Sequence, residues 1–154
     1  AIYFIYTSYL FLFKKSYNLL AGMTEEELKR IQEDIEVKMK YDKDFWSALD
    51  SLVSNSTIII DRPKGSIHPK YTDFIYEVDY GYLSDTSSLD NEGIDIWRGT
   101  EPAQKINGII CTVDLKKKDS EIKILINCTD AEIQTVYKAH NSTEFMKGIL
   151  IIRS

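Results

Sequence analysis

The chain has 154 residues, 44% of them apolar, and a formal charge of −5. That is enough for one ordinary domain, or for a domain of about 100 residues with an appendage, and the acidic balance argues against a nucleic-acid partner, which calls for a basic face. The two cysteines, Cys111 and Cys128, are too few for a disulfide scaffold; in apolar, strand-like surroundings they read as free buried thiols of a cytoplasmic protein.

Residues 1–13 are nearly all apolar and aromatic, followed by Lys14-Lys15. A run of this length is too short to span a bilayer as a helix, which takes about 20 residues, so a membrane is not an expected partner. Residues 1–22 are expected to be foreign to the native protein or else a packing or anchor segment. Thr24 can cap a helix and Glu27 can complete a capping box. Leu28, Ile31, Ile35 and Met39 then recur at helical spacing among charges and predict an amphipathic helix over 24–41. Phe45, Trp46, Leu49, Leu52 and Val53 predict a second, more buried helix over 44–53, broken by Asn55-Ser-Thr. From Thr57 the texture becomes strand-like: Thr57–Ile60, Tyr76–Tyr82 and Ile94–Trp97 are predicted strands, and Asn107–Leu115 and Glu121–Asn127 a hairpin across Lys116–Ser120. Thr129–His140 is a predicted helix with the capping box Thr129/Glu132, and Gly148–Ile152 a last strand. The expected fold is mainly β with flanking helices (α+β). Residues 55–154 would form a small OB-like closed β-barrel with a C-terminal helix, and residues 1–54 an N-terminal helical extension. Apolar surface on that extension leaves a homo-oligomer open.

The chemistry concentrates in Asp90-Asn-Glu92-Gly-Ile-Asp95, three carboxylates within six residues, with Asn91 and Gly93 favouring a turn that lets them converge. Hard cations such as magnesium take oxygen ligands of this kind together with water and substrate phosphates. The loop is a poor match to an EF-hand, and a loop of this composition, taken alone, is most often merely solvated. Lys116-Lys-Lys118 reads as a solvated hairpin tip, His68 as a loop residue, Trp46 and Trp97 as core, and His140 as a helix-closing residue whose cation suits the dipole.

Several motifs occur in a familiar order. Tyr76-Glu-Val-Asp-Tyr80-Gly-Tyr82 followed by Asp90-x-Glu92-x-x-Asp95 resembles the signature of family I soluble inorganic pyrophosphatases. Upstream, Asp61-Arg-Pro63 and Lys70-Tyr71 resemble that family's acidic residue, Pro and later Lys-Tyr; downstream, Asp114 and Glu121-x-Lys123 resemble its later Asp and Asp-x-Lys set. Ile60–Lys70 also resembles a short pyrophosphatase-like branch known from Firmicutes, with Asp-Arg-Pro-Lys-Gly-Ser-x-His-Pro. The similarity covers roughly residues 57–127, and residues 1–54 have no counterpart in it.

The resemblance implies magnesium-dependent hydrolysis of inorganic pyrophosphate to two phosphates by metal-activated water. It implies Asp90, Asp95, Asp114, Glu121 and Asp61 as Mg2+ ligands, with Asp119 as an alternative to Glu121 because the intervening turn is two residues longer than usual. Glu92 would take the proton of the attacking water, Tyr80 and Lys70 would act beside it, and Lys70, Tyr76, Lys123, Tyr137 and Lys138 would hold phosphate oxygens. The partner would be pyrophosphate or a related small phosphoanhydride. Two departures weaken the pattern: Thr72 replaces an acidic residue, and the segment that usually carries a phosphate-binding arginine is reduced to Thr72–Ile75, with Arg62 and Arg98 as candidate substitutes. The alternative is a catalytically weakened homologue that binds phosphate compounds or a protein partner.

Overall fold

The computed structural model describes residues 22–87, 93–103 and 105–153. Asp90 and Glu92, and the apolar segment 1–21, lie outside the described residues. The chain divides into two compact units, Ala1–Phe45 and Trp46–Ser154.

Helix α1 spans Glu25–Ser54. The capping box forms as expected: the Thr24 amide donates to Glu27 Oε2 (2.8 Å) and the Glu27 amide to Thr24 Oγ1 (3.2 Å). Two helices were expected here, and one is found. The polar run Tyr41-Asp-Lys-Asp looks like a break, yet it contains no Gly or Pro, and the i,i+4 pairs Lys38–Asp42 (2.7 Å) and Lys40–Asp44 (2.5 Å) carry the helix across it. In the first unit the helix is charged and exposed, with Leu28, Ile31 and Met39 all open to solvent.

The second unit is built on six strands: β1 (Ile58–Arg62), β2 (Asp79–Leu83), β3 (Ile94–Arg98), β4 (Ile106–Asp114), β5 (Asp119–Ile126) and β6 (Met146–Ile152). Helix α2 (Asp130–Ala139) lies between β5 and β6 in sequence. The sheet order is β1-β2-β3-β5-β4-β6, antiparallel throughout except for the parallel β3–β5 pair. The mainly β fold with flanking helices is therefore present. The closed barrel is found only as far as this six-stranded sheet, since among the described residues no ladder joins β6 to β1.

Strand alternation divides the unit into two apolar layers. One face of the sheet carries Leu83, Ile96, Ile109, Ile124 and Ile126, covered by Trp46 and Val53 from the end of α1. The other carries Trp97, Ile110 and Leu125, covered by Ile133 and Val136 of α2, with Tyr76, Val78 and Cys128 alongside. Both tryptophans are buried, as expected. Cys128 is a buried free thiol and Cys111 a half-buried one. The α2 capping box between Thr129 and Glu132 forms as read from the sequence.

The Tyr76–Tyr82 strand is shorter than expected. It starts at Asp79, and Tyr76–Val78 is irregular, anchored by hydrogen bonds between Tyr76 and the backbone of Gly65 and Ser66. Within β2, Gly81 sits against β1 so closely that a Cβ would lie 1.9 Å from the Ile59 carbonyl oxygen. The obstruction is backbone, so β1 itself would have to move. Gly81→Ala is expected to cost about 2 kcal/mol, read as a fall in the urea midpoint at an unchanged slope. An unchanged midpoint would show that β1 yields freely.

Candidate active site

The sheet face beneath α2 carries the chemistry. On β5, Asp119, Glu121, Lys123 and Leu125 alternate onto it; on β3, Asp95 and Trp97; on β2, Tyr80 and Tyr82, paired with Trp97 and Asp95 respectively. At its centre is Lys123, whose side chain is only 6% exposed. Its ammonium donates to Asp95 Oδ2, to Glu121 Oε2 at 2.9 Å and to the Tyr80 hydroxyl at 3.4 Å. Burial alone would lower the Lys123 pKa; the charge and hydrogen bond of Asp95, followed by those of Glu121, outweigh it, and the pKa lies above its ordinary value. Tyr80 is pushed up, first by burial and then by the adjacent Asp95, so its phenol stays protonated and serves as a donor.

An aromatic wall flanks this cluster. The Tyr80 ring is 4.7 Å from Trp97 and 5.4 Å from Tyr76, centroid to centroid. The Tyr76 hydroxyl accepts from Arg62 Nη1 at 3.1 Å. His68, in the loop after β1, accepts at Nδ1 from the Lys70 and Tyr71 amides (3.0 and 3.1 Å) and stacks on Tyr76 at 5.9 Å.

Below Trp97, His140 departs from the expected cation. It does cap α2, but it is buried, and its Nε2 accepts the Trp97 indole N–H at 3.1 Å. Burial, then the nearby Lys123 charge, lower its pKa from 6.5 to about 4, so the ring is neutral at pH 7. A depressed pKa stabilises the fold fully above the unfolded value of 6.5 and loses that contribution as pH falls through about 4. The group therefore removes about 3 kcal/mol of stability across that window. In His140→Gln, which keeps an acceptor for Trp97, the fall in unfolding free energy from pH 7 to pH 4, read from urea titrations, is expected to be smaller by that amount. Parallel pH profiles for the two proteins would refute it.

The remaining site residues read from the sequence are placed as follows. Asp61 is exposed, 3.6 Å from Arg62 Nε. Lys70 is exposed, its ammonium 5.7 Å from the Tyr71 ring centroid. Asp114 faces the same side as Glu121 but spends Oδ1 on the hairpin turn, accepting from the Lys116 and Lys117 amides at 2.8 and 3.1 Å. Asp119 is its partner at the mouth of the hairpin. Tyr137 packs half-buried on α2, and Lys138 is exposed there. Among the described residues, no hydrogen bond or ion pair joins Asp61, Lys70, Asp114, Tyr137 or Lys138 to the Lys123 cluster. Sequence reasoning read His140 only as a helix-closing cation, missing its bond to Trp97, and left Arg62 only as a candidate. What marks Arg62 is its place opposite Tyr80 in the β1–β2 ladder, which only the register reveals.

Two carboxylates within reach of one buried ammonium form an all-oxygen donor pair of the type hard divalent cations take. Among the described residues no group of three or more His, Cys, Asp or Glu is arranged to hold a metal, so Asp95 and Glu121 are part of a ligand set at most. No helix among the described residues is long and apolar enough to cross a membrane.

No family model matches the chain, and no curated protein does. Solved structures similar to it include an inorganic pyrophosphatase from Coxiella burnetii, 13% identical with a TM-score of 0.43, covering 63% of this chain and 84% of that one. Another is an inorganic phosphatase from Anaplasma phagocytophilum, 11% identical with a TM-score of 0.41, covering 62% and 81%. A likeness at this level assigns no residue a role.

Proposed function

We propose that this chain hydrolyses inorganic pyrophosphate, with magnesium held by Asp95 and Glu121 together with Asp90. The observation that carries the reading is the meeting of Asp95, Glu121, Lys123 and Tyr80 at one point of the sheet, in residues whose sequence order resembles a pyrophosphatase signature. Pyrophosphate is a compact polyanion that repels a nucleophile, so charge placement carries most of the rate of its hydrolysis. Bound magnesium would supply that neutralisation and would lower the pKa of water. The chain's own groups orient the reactants. Lys123 fixes the two carboxylates and carries a positive charge, Tyr80 donates from a phenol that does not ionise, and Trp97 and Leu125 close the floor against water. Glu92 accepts the proton of the attacking water in this scheme. The test is phosphate release from pyrophosphate by the full chain, with magnesium and with excess EDTA. Magnesium-dependent release is expected; equal rates in the two buffers would reject the reading in favour of a weakened homologue that only binds phosphate compounds.

A further inference from the structure

The sheet ends on β1 and β6. An edge strand leaves alternate backbone groups without a ladder partner, a template for another strand. In β6, Asn141 shows which way those groups point. Its side chain donates to the Gly148 carbonyl at 3.1 Å and accepts from the Gly148 amide at 3.2 Å. Gly148 therefore turns both groups away from β4, and strand alternation turns those of Leu150 and Ile152 the same way. The Arg153 amide, out of step with them, donates inward to the Asn107 carbonyl at 2.9 Å. The first half of the edge is closed: Thr143 Oγ1 takes the Met146 amide at 3.1 Å, and Asn141 satisfies Gly148. The second half is open. Among the described residues nothing pairs the outward groups of Leu150 and Ile152.

The open half is also apolar. Ile149 and Ile151 are 63% and 43% exposed and lie on the face of Ile109. The register sets Ile149 beside Cys111 and Cys111 beside Ile122; with half-exposed Val113 they carry an apolar patch from the edge across β4 to β5. Natural edges commonly use charge, lysine above all, to repel a second strand. Here the two cations that flank the open half are both engaged within the chain. Lys147 Nζ turns back to the Thr143 carbonyl at 2.6 Å, and Arg153 is held by both oxygens of Asp50 at 2.6 and 2.7 Å.

We propose that β6 pairs antiparallel with β6 of a second copy of this chain, joining the two sheets edge to edge about a two-fold axis at Ile151. This pairing sets Leu150 of each copy against Ile152 of the other and Ile151 against itself. Every open amide then meets an open carbonyl, and the bonds at Gly148 stay intact. Moving the axis to Leu150 would set Ile152 against Gly148 and displace Asn141, so the plug fixes the register. An identical edge supplies the match by symmetry, in a contact that closes at two copies. A longer strand from another protein would run into Asn141. Opposed residues share a face, so the pairing also joins the two apolar patches through Ile149 and Ile151. The inference stands apart from the pyrophosphate reading and uses none of its residues.

The experiment is sedimentation velocity on the full chain over about a hundredfold range of concentration, with hydrogen exchange in the same samples. Wild type is expected to reach the dimer mass at the upper end, and exchange at the Leu150 and Ile152 amides to slow as the dimer forms. Ile151→Lys and Ile151→Glu each set like charges against one another on the axis, and each should weaken dimerisation at least about tenfold. Mixed in equal amounts, the two variants should dimerise again, a rescue that misfolded chains would not give. Met39→Lys, on exposed α1, should match wild type. If an Ile151 variant does not fold, the wild-type exchange decides: slowing with concentration at Leu150 and Ile152 supports the pairing, and rates independent of concentration overturn it. A dimer that survives in both Ile151 variants, or a mixture of them that stays monomeric, also overturns it. Loss of the dimer in Met39→Lys would move the contact to the helix. Wild type that is monomeric throughout refutes the pairing as well: protected Leu150 and Ile152 amides would then place the cover within the chain, and unprotected ones would leave the edge to a different protein.

Discussion

Asp95→Asn is expected to lower magnesium-dependent phosphate release by about 10²–10³-fold, the usual loss when one preorganised electrostatic contact is removed from a charged transition state. The substitution is nearly isosteric, and Lys123 keeps Glu121 as a charged partner at 2.9 Å, so the fold should survive and the thermal midpoint should move by only a few degrees. Two further variants decide which residue of the hairpin belongs to the site. Glu121 shares the Lys123 ammonium with Asp95, whereas Asp119 stands at the hairpin mouth opposite Asp114. Glu121→Gln should therefore lose activity on the scale of Asp95→Asn, and Asp119→Asn should stay within about twofold of wild type, the size of an ordinary surface substitution. Full activity in Asp95→Asn would remove the proposed site, while the reverse ranking of Glu121 and Asp119 would shift it toward the turn.

The elements of the β unit were legible because their signals are local. Ile58–Ile60 is an unbroken β-branched run, Ile122, Ile124 and Ile126 recur at the strand period, and Thr129 with Glu132 writes a capping box directly into the sequence. The helix break near residue 42 was misread because a polar run looks like a loop until its i,i+4 pairing is seen. The loss of residues 76–78 from the expected strand and the neutral state of His140 depend on tertiary contacts: the Gly65 and Ser66 backbone for one, burial beside Lys123 for the other. Composition at a helix end predicts a histidine cation; burial reverses it. The site was legible as a set of residue types, but its grouping was not. That Glu121 and Asp95 meet at Lys123 follows from the parallel β3–β5 pairing, a crossover between strands that no local pattern reveals. The β1–β2 and β2–β3 registers separate the two candidate arginines by face.

Lys123→Met is expected to destabilise the chain by about 4 kcal/mol at pH 7 in EDTA, because it removes the cation from a buried ion-pair cluster and leaves two carboxylates facing each other. Their side chains are 25% and 13% exposed, so water cannot fully screen the repulsion. The methionine fills most of the lysine volume, and the loss therefore reports charge more than cavity. One escape is available to the variant. A divalent cation can replace the ammonium, so millimolar magnesium should raise the urea midpoint of Lys123→Met by more than it raises that of wild type, in which Lys123 competes for the same oxygens. A variant as stable as wild type in EDTA would show that the carboxylates do not need the lysine. A variant destabilised as expected but indifferent to magnesium would show that Asp95 and Glu121 hold an ammonium and nothing else, and the metal would have to be placed away from this pair.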